Sequence, residues 1–210
     1  MIPSIPKQEY FDRIAKFQAN MKAAGLDACL VHGTESDFAN VRYLTEYWPT
    51  FEQAGVFVPA EGKAVLLIGP ESEKYARGRS VVPDVMLMLN YRESAEPDYP
   101  GIPLSTYDQV AKVAMGNKPL KKLGLVGTAV MTKPTLDAVA AQLPGVEVVA
   151  ADAVCDVLHR RPVSEDHLFP AVSAVGRCGS GPAADASAEG CNGPSDRYGP
   201  PQALRWKPIR

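Results

Sequence analysis

The sequence predicts a single α/β domain, built on one mixed sheet with helices on both faces and followed by a disordered tail. Short apolar runs alternate with helical segments over the first 160 or so residues, which is the pattern of a sheet covered by helices. Two adjacent β-rich runs form a hairpin pattern, so the sheet is expected to be mixed. After Phe169 the apolar periodicity ends, and this change indicates the tail.

The first quarter of the chain predicts a helix, a buried strand and a short helix. Residues 8–24 place apolar side chains near one helical face, and Gly25 follows where a helix C-cap is expected. The run "LDACLVHG" is typical of a buried strand. The stretch "SDFANVRYLT" predicts a short helix, for which Ser36 and Asp37 are candidate N-cap residues.

The middle of the chain predicts three strands and a helix. The stretch "AGVFVPAEGKAVLLIG" contains two β-rich runs around "PAEGK", and we interpret it as a hairpin. The following "PESEKYARGRS" predicts a helix with Pro70 in its first turn. The run "PDVMLMLNY" then predicts a further strand.

The last part of the domain alternates helices and strands. A helix is predicted for "LSTYDQVAKVAMG", with Ser105 and Thr106 as candidate caps. The chain continues with a strand in "KKLGLVG", a helix in "TKPTLDAVAAQLPG", a strand in "VEVVAA" and a closing helix in "DAVCDVLHRR".

Composition argues against several classes of protein. The net charge is −2 and no basic stretch is interleaved with aromatic residues, so a nucleic-acid partner is not expected. No apolar run reaches the length of a membrane span, and charges interrupt the N-terminus where a signal peptide needs an apolar core. We expect a cytoplasmic protein. The four cysteines form no metal-site pattern, and Cys29 and Cys155 are expected to be small buried hydrophobes.

No nucleotide-binding or nucleophile-elbow motif follows a predicted strand. Among the histidines, His32 ends the first strand, where α/β proteins often bind ligands. The interpretation that we favour is a strand-end histidine with its own hydrogen bond. His159 lies at a helix end, where a cation suits the helix dipole, and His167 lies in a polar segment.

The stretch "RYLTEYWPTFEQ" has the densest group of aromatic residues in the chain. Tyr43 is expected in the core. For Tyr47, Trp48 and Phe51, core or loop packing and an exposed contact surface are both open interpretations.

The stretch "EYFDRIAKFQANMKAAGLDACLVHGTESDFANVRYLTEYW" resembles the N-terminal domain of the creatinase/Xaa-Pro peptidase family, the pita-bread metallopeptidases. The resemblance rests on an opening helix with an Arg, on "GLDACLV" as the first strand, and on "NVRYLTEYW". The last of these is similar to the family's Asn-x-x-Tyr-Leu-Thr-Gly-Phe stretch, with Glu46 in place of Gly. The resemblance continues to Leu168 and includes "RRPVSEDHL", which looks like the entry to the catalytic domain. It implies a ribonuclease H-like fold.

In the family that it resembles, catalysis belongs to a second domain. Two divalent ions, commonly manganese, are held there by two Asp, one His and two Glu, and they activate a water molecule. Asp185 and Asp196 have ten residues between them, as the family's first two ligands do, but no later His or Glu completes the set. We therefore expect no catalytic residue, no metal ligand and no cofactor in this chain.

The resemblance also implies what the domain does. It builds a dimer and shapes the mouth of the active site, which makes Tyr47, Trp48 and Phe51 candidate substrate-side residues. The first hypothesis is a truncated Xaa-Pro metallopeptidase, inactive alone. The second is a stand-alone interaction module that pairs with itself or with a full-length relative. The third is a small-molecule-binding domain that uses His32 and the aromatic loop.

The predicted organisation is a domain over residues 1–161, a junction over 162–169 and a tail over 170–210. The tail holds six Gly, six Pro and only four Leu, Ile, Val, Phe or Met residues in 41 positions, too few to offset its ordering entropy. One hypothesis is a reading-frame disruption between Pro162 and Phe169. The alternative is a native disordered tail.

Overall fold

A computed structural model describes residues 5–93, 98–116 and 118–159. The predictions made for the junction at 162–169 and the tail at 170–210, with His167, Asp185 and Asp196, lie outside the described residues.

The centre of the fold is one mixed sheet of six strands in the order β4-β3-β2-β1-β5-β6. Three neighbouring pairs are parallel (β1 with β5, β5 with β6, and β3 with β4), whereas β2 is antiparallel to both β1 and β3. The mixed sheet and the hairpin are therefore confirmed. The strands are β1 Ala28–Gly33, β2 Ala54–Pro59, β3 Val65–Ile68, β4 Val85–Leu87, β5 Lys122–Val126 and β6 Glu147–Ala150.

Six α-helices connect and cover these strands in the described part of the chain, and each corresponds to a predicted helix. Their boundaries are α1 Lys7–Ala23, α2 Ala39–Thr45, α3 Glu73–Arg79, α4 Tyr107–Met115, α5 Lys133–Gln142 and α6 Asp152–His159. Short 3₁₀ turns precede α3 at Pro70–Ser72 and follow β4 at Leu89–Tyr91. No helix among the described residues is long and apolar enough to cross a bilayer.

Helices cover both faces of the sheet, as predicted. Alternate side chains of a strand point to opposite faces, so Cys29 and Val31 of β1 belong to one core cluster while Ala28 and Leu30 belong to another. The first cluster contains buried side chains of α1, α2, α3 and α6, and the second contains those of α4 and α5. All six residues of β1 are buried because the strand is central and covered on both sides.

The prediction that Ser36 and Asp37 cap α2 is wrong. The helix begins at Ala39 after Phe38 and has no side-chain cap. Ser36 and Asp37 belong instead to a turn in which the Asp37 N–H donates to Thr34 Oγ1 and the Thr34 N–H donates to the Asp37 carbonyl. A local hydroxyl acceptor competes with helix formation, which explains the later start.

One of the two candidate caps of α4 is confirmed. Thr106 forms a capping box with Gln109, in which the Thr106 N–H donates to Gln109 Oε1 at 3.1 Å. The backbone N–H of Ser105 donates to the Leu87 carbonyl, so Ser105 pairs with β4 and does not cap the helix.

The strand predicted in "PDVMLMLNY" is shorter than expected, because only Val85–Leu87 pair with β3 and the chain then turns. The turn brings the fully buried ring of Tyr91 onto Gly55 of β2, where a Cβ atom added to the glycine would lie 2.4 Å from the Tyr91 hydroxyl oxygen. Gly55 therefore provides the space that Tyr91 occupies.

Candidate functional site

The candidate loop runs from Glu46 to Gln53, between α2 and β2, and we call it the aromatic loop. It begins with a left-handed residue, since Glu46 has φ 63° and its N–H donates to the Arg42 carbonyl. This conformation ends a helix and is normally occupied by glycine. The family that the sequence resembles has Gly at this position, and the backbone geometry explains why.

Tyr47 anchors the loop in the core and is fully buried. Its hydroxyl donates to Glu52 Oε1 at 2.5 Å, and its backbone N–H donates to Thr45 Oγ1 at 3.1 Å. Burial, followed by the hydrogen bond to Glu52, raises the pKa of the Tyr47 hydroxyl. Tyr47 thus positions the loop from inside.

The ring of Trp48 contacts two cations. The guanidinium carbon of Arg42 lies 4.5 Å from the centre of the Trp48 ring, and that of Arg79 lies 4.4 Å from it. Arg79 also pairs with the carboxylate of Glu46 at 3.5 Å. These cation–π contacts favour Arg because its planar group stacks on the ring.

Phe51 is the aromatic residue of the loop that is presented to solvent, with 74% of its surface exposed. Its backbone N–H donates to Glu52 Oε2 at 3.1 Å, so the same carboxylate that binds Tyr47 also holds the Phe51 backbone. The structure therefore separates the three predicted residues into a buried anchor, a clamped ring and an exposed ring.

A polar cleft of about 400 Å³ lies beside the aromatic loop. Strands β1 and β5 are parallel and end at the same edge of the sheet, where the antiparallel β2 begins. The loops at this edge form the cleft, which is a common ligand position in α/β proteins. Its lining residues are Thr34, Glu35, Ser36, Phe51, Glu52, Gln53, Arg92, Val130 and Thr132.

His32 lies at the end of β1 with 1% of its surface exposed, and its ring packs 5.8 Å from that of Tyr91. Neither ring nitrogen makes a hydrogen bond of normal geometry to the described residues, and the polar group that acts on the ring is the Val130 backbone. Burial lowers the pKa of His32 to about 4, and the Val130 backbone partly opposes that change. His32 is therefore neutral at pH 7.

The two cysteines of the described domain are buried, as predicted. Cys155 of α6 donates a weak hydrogen bond of 3.4 Å to Oδ1 of Asn40 in α2, which connects the "NVRYLT" segment to the last helix. Burial raises the pKa of Cys29. Both are therefore unreactive packing residues.

The two-metal centre implied by the resemblance does not fit the described residues. No three His, Cys, Asp or Glu side chains in the described ranges lie close enough together to hold one ion.

Sequence patterns did not indicate Glu52, Gln53 or Arg92 as site residues. Glu52 had one available signal, because a carboxylate five positions after Tyr47 can reach back to its hydroxyl. Arg92 lies far from the loop in sequence. It lines the cleft because the order of the strands in the sheet places the segment after β4 near the loop.

Comparison with known proteins gives a consistent result. Residues 13–159 match the family described as Creatinase/Prolidase N-terminal domain. The N-terminal domain of the cytoplasmic peptidase PepQ from Mycobacterium tuberculosis H37Rv is similar in structure, with a TM-score of 0.52 and 25% identity, over 70% of this chain and 98% of that one. No curated protein sequence matched.

Two further solved structures share the fold. A dipeptidase PepE from Mycobacterium ulcerans matches with a TM-score of 0.52 and 20% identity, over 78% of this chain but only 40% of its own. A proline dipeptidase from Streptococcus pneumoniae tigr4 matches with a TM-score of 0.51 and 14% identity, over 70% and 96%. With this fold and a family match that extends over residues 13–159, the chain belongs to the creatinase/prolidase N-terminal domain family.

Proposed function

We propose that this chain is the non-catalytic N-terminal domain of an Xaa-Pro dipeptidase- or aminopeptidase-like metallohydrolase. In this role it dimerises and shapes the mouth of an active site, and it is inactive alone. The observation that carries the proposal is the family match over residues 13–159. The similarity to an N-terminal domain of PepQ supports it, as does the 40% share of the PepE dipeptidase that the chain spans.

The aromatic loop supports a contact role for this domain. Phe51 is 74% exposed, yet the backbone beside it is held by Glu52, which is itself bonded to Tyr47. A large apolar side chain on a restrained loop loses little conformational entropy on binding, so it suits a protein contact. We propose that Phe51 makes this contact, with Tyr47 and Trp48 holding the loop.

The proposal is tested by assaying the purified chain with manganese on an Xaa-Pro dipeptide, beside a full-length Xaa-Pro peptidase as the positive control. We expect no hydrolysis above the protein-free blank. Equilibrium dialysis is expected to show no tight manganese binding. Turnover by this chain that is abolished by a chelator would contradict the proposal.

The alternative is a stand-alone interaction module that pairs with itself or with a full-length relative. The exposed ring of Phe51 supports this function as much as the first, because an interaction module needs a contact surface for a partner but no catalytic domain. Native mass spectrometry of the chain, alone and mixed with a full-length family member, distinguishes the interaction module from the peptidase domain. Mixed dimers with unchanged peptidase activity favour the module, whereas a monomer in every mixture removes both dimerisation and pairing.

We also propose a cytoplasmic location and no nucleic-acid partner. The description of the similar PepQ protein as cytoplasmic supports the first, and the net charge of −2 supports the second. Fractionation of cells that express the chain tests the location.

A further inference from the structure

The polar cleft has the size and position of a small-molecule site. Its volume of about 400 Å³ lies within the range of ligand pockets. It is formed where the loops after β1 and β5 meet the residues that precede β2. Phe51 also lines this cleft, but the inference concerns a small molecule that the chain holds by itself, whereas the contact role proposed for Phe51 requires a partner protein.

The wall of the cleft contains an acceptor atom without a donor. Oε1 of Gln53 is buried and has no hydrogen-bond partner among the described residues, although Gln53 lines the cleft. Behind the wall, the ring of His32 adjoins Val130, another lining residue. Buried polar groups in folded proteins nearly always have a partner, so this unpartnered acceptor in the wall of the cleft indicates a group that a ligand satisfies.

The charged side chains of the cleft indicate which charged groups the ligand has. Glu52 presents a carboxylate that Tyr47 and the Phe51 N–H hold in place, and Glu35 adds a second. These oxygens and Gln53 Oε1 are acceptors for an ammonium group. The cation of the lining is Arg92, whose guanidinium binds carboxylates with a planar set of donors.

Arg92 is available to a ligand because its present partner is weakly held. It pairs at 2.6 Å with Asp98, whose side chain is 83% exposed. An exposed ion pair contributes little to stability, so a ligand carboxylate inside the cleft can replace Asp98. The ring of Phe51 at the rim provides an apolar surface for the remainder of the ligand.

We propose that this cleft binds a small amino-carboxylate with an apolar side chain. The ammonium group of the ligand meets Gln53 Oε1 and the Glu52 carboxylate, and its carboxylate meets Arg92. The chemistry of these groups thus selects zwitterions over plain anions or cations of the same size.

The first experiment titrates L-leucine into the ¹⁵N-labelled full chain and follows amide chemical shifts. The shifts are expected to concentrate at Thr34, Gln53 and Val130, which line the cleft. N-acetyl-L-leucine lacks the ammonium group and L-leucinamide lacks the carboxylate, so each is expected to bind about tenfold more weakly. Equal binding of all three compounds, or no binding of L-leucine, overturns the proposal.

The second experiment replaces Gln53 by Met, which keeps the length of the side chain and removes the unpartnered acceptor. Because an orphaned buried acceptor costs stability, Gln53→Met is expected to raise the Tm of the free protein. The same change is expected to weaken L-leucine binding about tenfold. If Gln53 has only a structural role, Gln53→Met lowers the Tm instead and leaves the binding of L-leucine unaltered.

Gln18 provides the matched control, since its Nε2 donates to the Pro59 carbonyl at 2.8 Å and lies outside the cleft. Gln18→Met removes a formed hydrogen bond and is expected to lower the Tm without changing ligand binding. If Gln53→Met lowers the Tm as Gln18→Met does, Gln53 has a structural partner and the proposal fails.

Discussion

The buried hydroxyl of Tyr47 donates a hydrogen bond of 2.5 Å to Oε1 of Glu52, and this pair holds the aromatic loop on the domain. Glu52 is 7% exposed and its second oxygen accepts the Phe51 N–H at 3.1 Å. One carboxylate thus joins a core side chain to the backbone of the most exposed aromatic residue of the loop. The geometry of the loop therefore depends on an interaction inside the domain.

Removing the hydroxyl in Tyr47→Phe is expected to destabilise the domain by about 1–3 kcal/mol, because it leaves a buried carboxylate oxygen without its donor. Urea unfolding followed by circular dichroism measures the change. Tyr75→Phe is the control, because the Tyr75 ring lies 5.5 Å from that of Tyr47 but is 40% exposed. Equal effects of the two substitutions would show that the bond to Glu52 does not stabilise the fold.

The left-handed conformation of Glu46 predicts an unusual order of stability among its variants. Glu46→Gly and Glu46→Ala both remove the ion pair with Arg79, but only Gly adopts φ 63° without a steric cost. Glu46→Gly is therefore expected to be about 1 kcal/mol more stable than Glu46→Ala. Thermal unfolding of the two variants measures the difference. If Ala is as stable as Gly, the backbone at this position is not left-handed in solution.

Burial of His32 predicts a loss of stability in acid. Its pKa is about 4 in the folded domain against an ordinary value of 6.5. The unfolded chain therefore binds a proton in this interval that the folded chain does not. The stability that the domain gains from this difference in proton binding is fully present above pH 6.5 and is lost as the pH falls toward 4. It amounts to about 3 kcal/mol at most.

Urea unfolding of the native protein and of His32→Leu at pH 4.5 and pH 7 isolates this effect, because the other titrating groups are common to both. We expect the free energy of unfolding to depend less on pH in the variant. Parallel pH profiles would mean that His32 is accessible to protons in the folded protein.

Phe51 predicts an effect on association without an effect on folding. Since its side chain is 74% exposed, Phe51→Ala is expected to change the free energy of unfolding by less than about 0.5 kcal/mol. If Phe51 makes the proposed contact, the dissociation constant of the dimer rises about tenfold. Sedimentation velocity measures both proteins over a range of concentrations.

The control for this experiment is Val113→Ala, because Val113 of α4 is also an exposed apolar residue, at 54%, and does not belong to the aromatic loop. Equal dissociation constants for the native chain, Phe51→Ala and Val113→Ala would exclude Phe51 from the interface.

Much of the fold was predictable because the apolar periodicity of each element matches the face that it buries. The pattern of "LDACLVHG" predicts a buried strand, and β1 is the fully covered centre of the sheet. The errors occurred where a tertiary or local contact overrode the pattern. Ser36 and Asp37 bond within a turn with Thr34, and the strand that begins at Val85 ends early so that Tyr91 can pack on Gly55.

The candidate site was less predictable, since loops have no periodicity that separates buried from exposed residues. Tyr47, Trp48 and Phe51 form one aromatic group in the sequence, yet their roles differ because Glu52, Arg42 and Arg79 bind to different members of it. Gln53 and Arg92 carried no sequence signal, because a lone polar residue is informative only when its surroundings are known.

The sequence by itself determined the family, the alternation of strands and helices, and the burial of Cys29 and Cys155. These follow from local side-chain chemistry repeated at regular spacing. The tertiary structure alone decided that Gln53 Oε1 lacks a partner among the described residues and that Arg92 lines the same cleft as Glu52. The reason is that the pairing of β1 with both β2 and β5 brings loops from distant parts of the chain to one edge of the sheet, and no local pattern encodes that meeting.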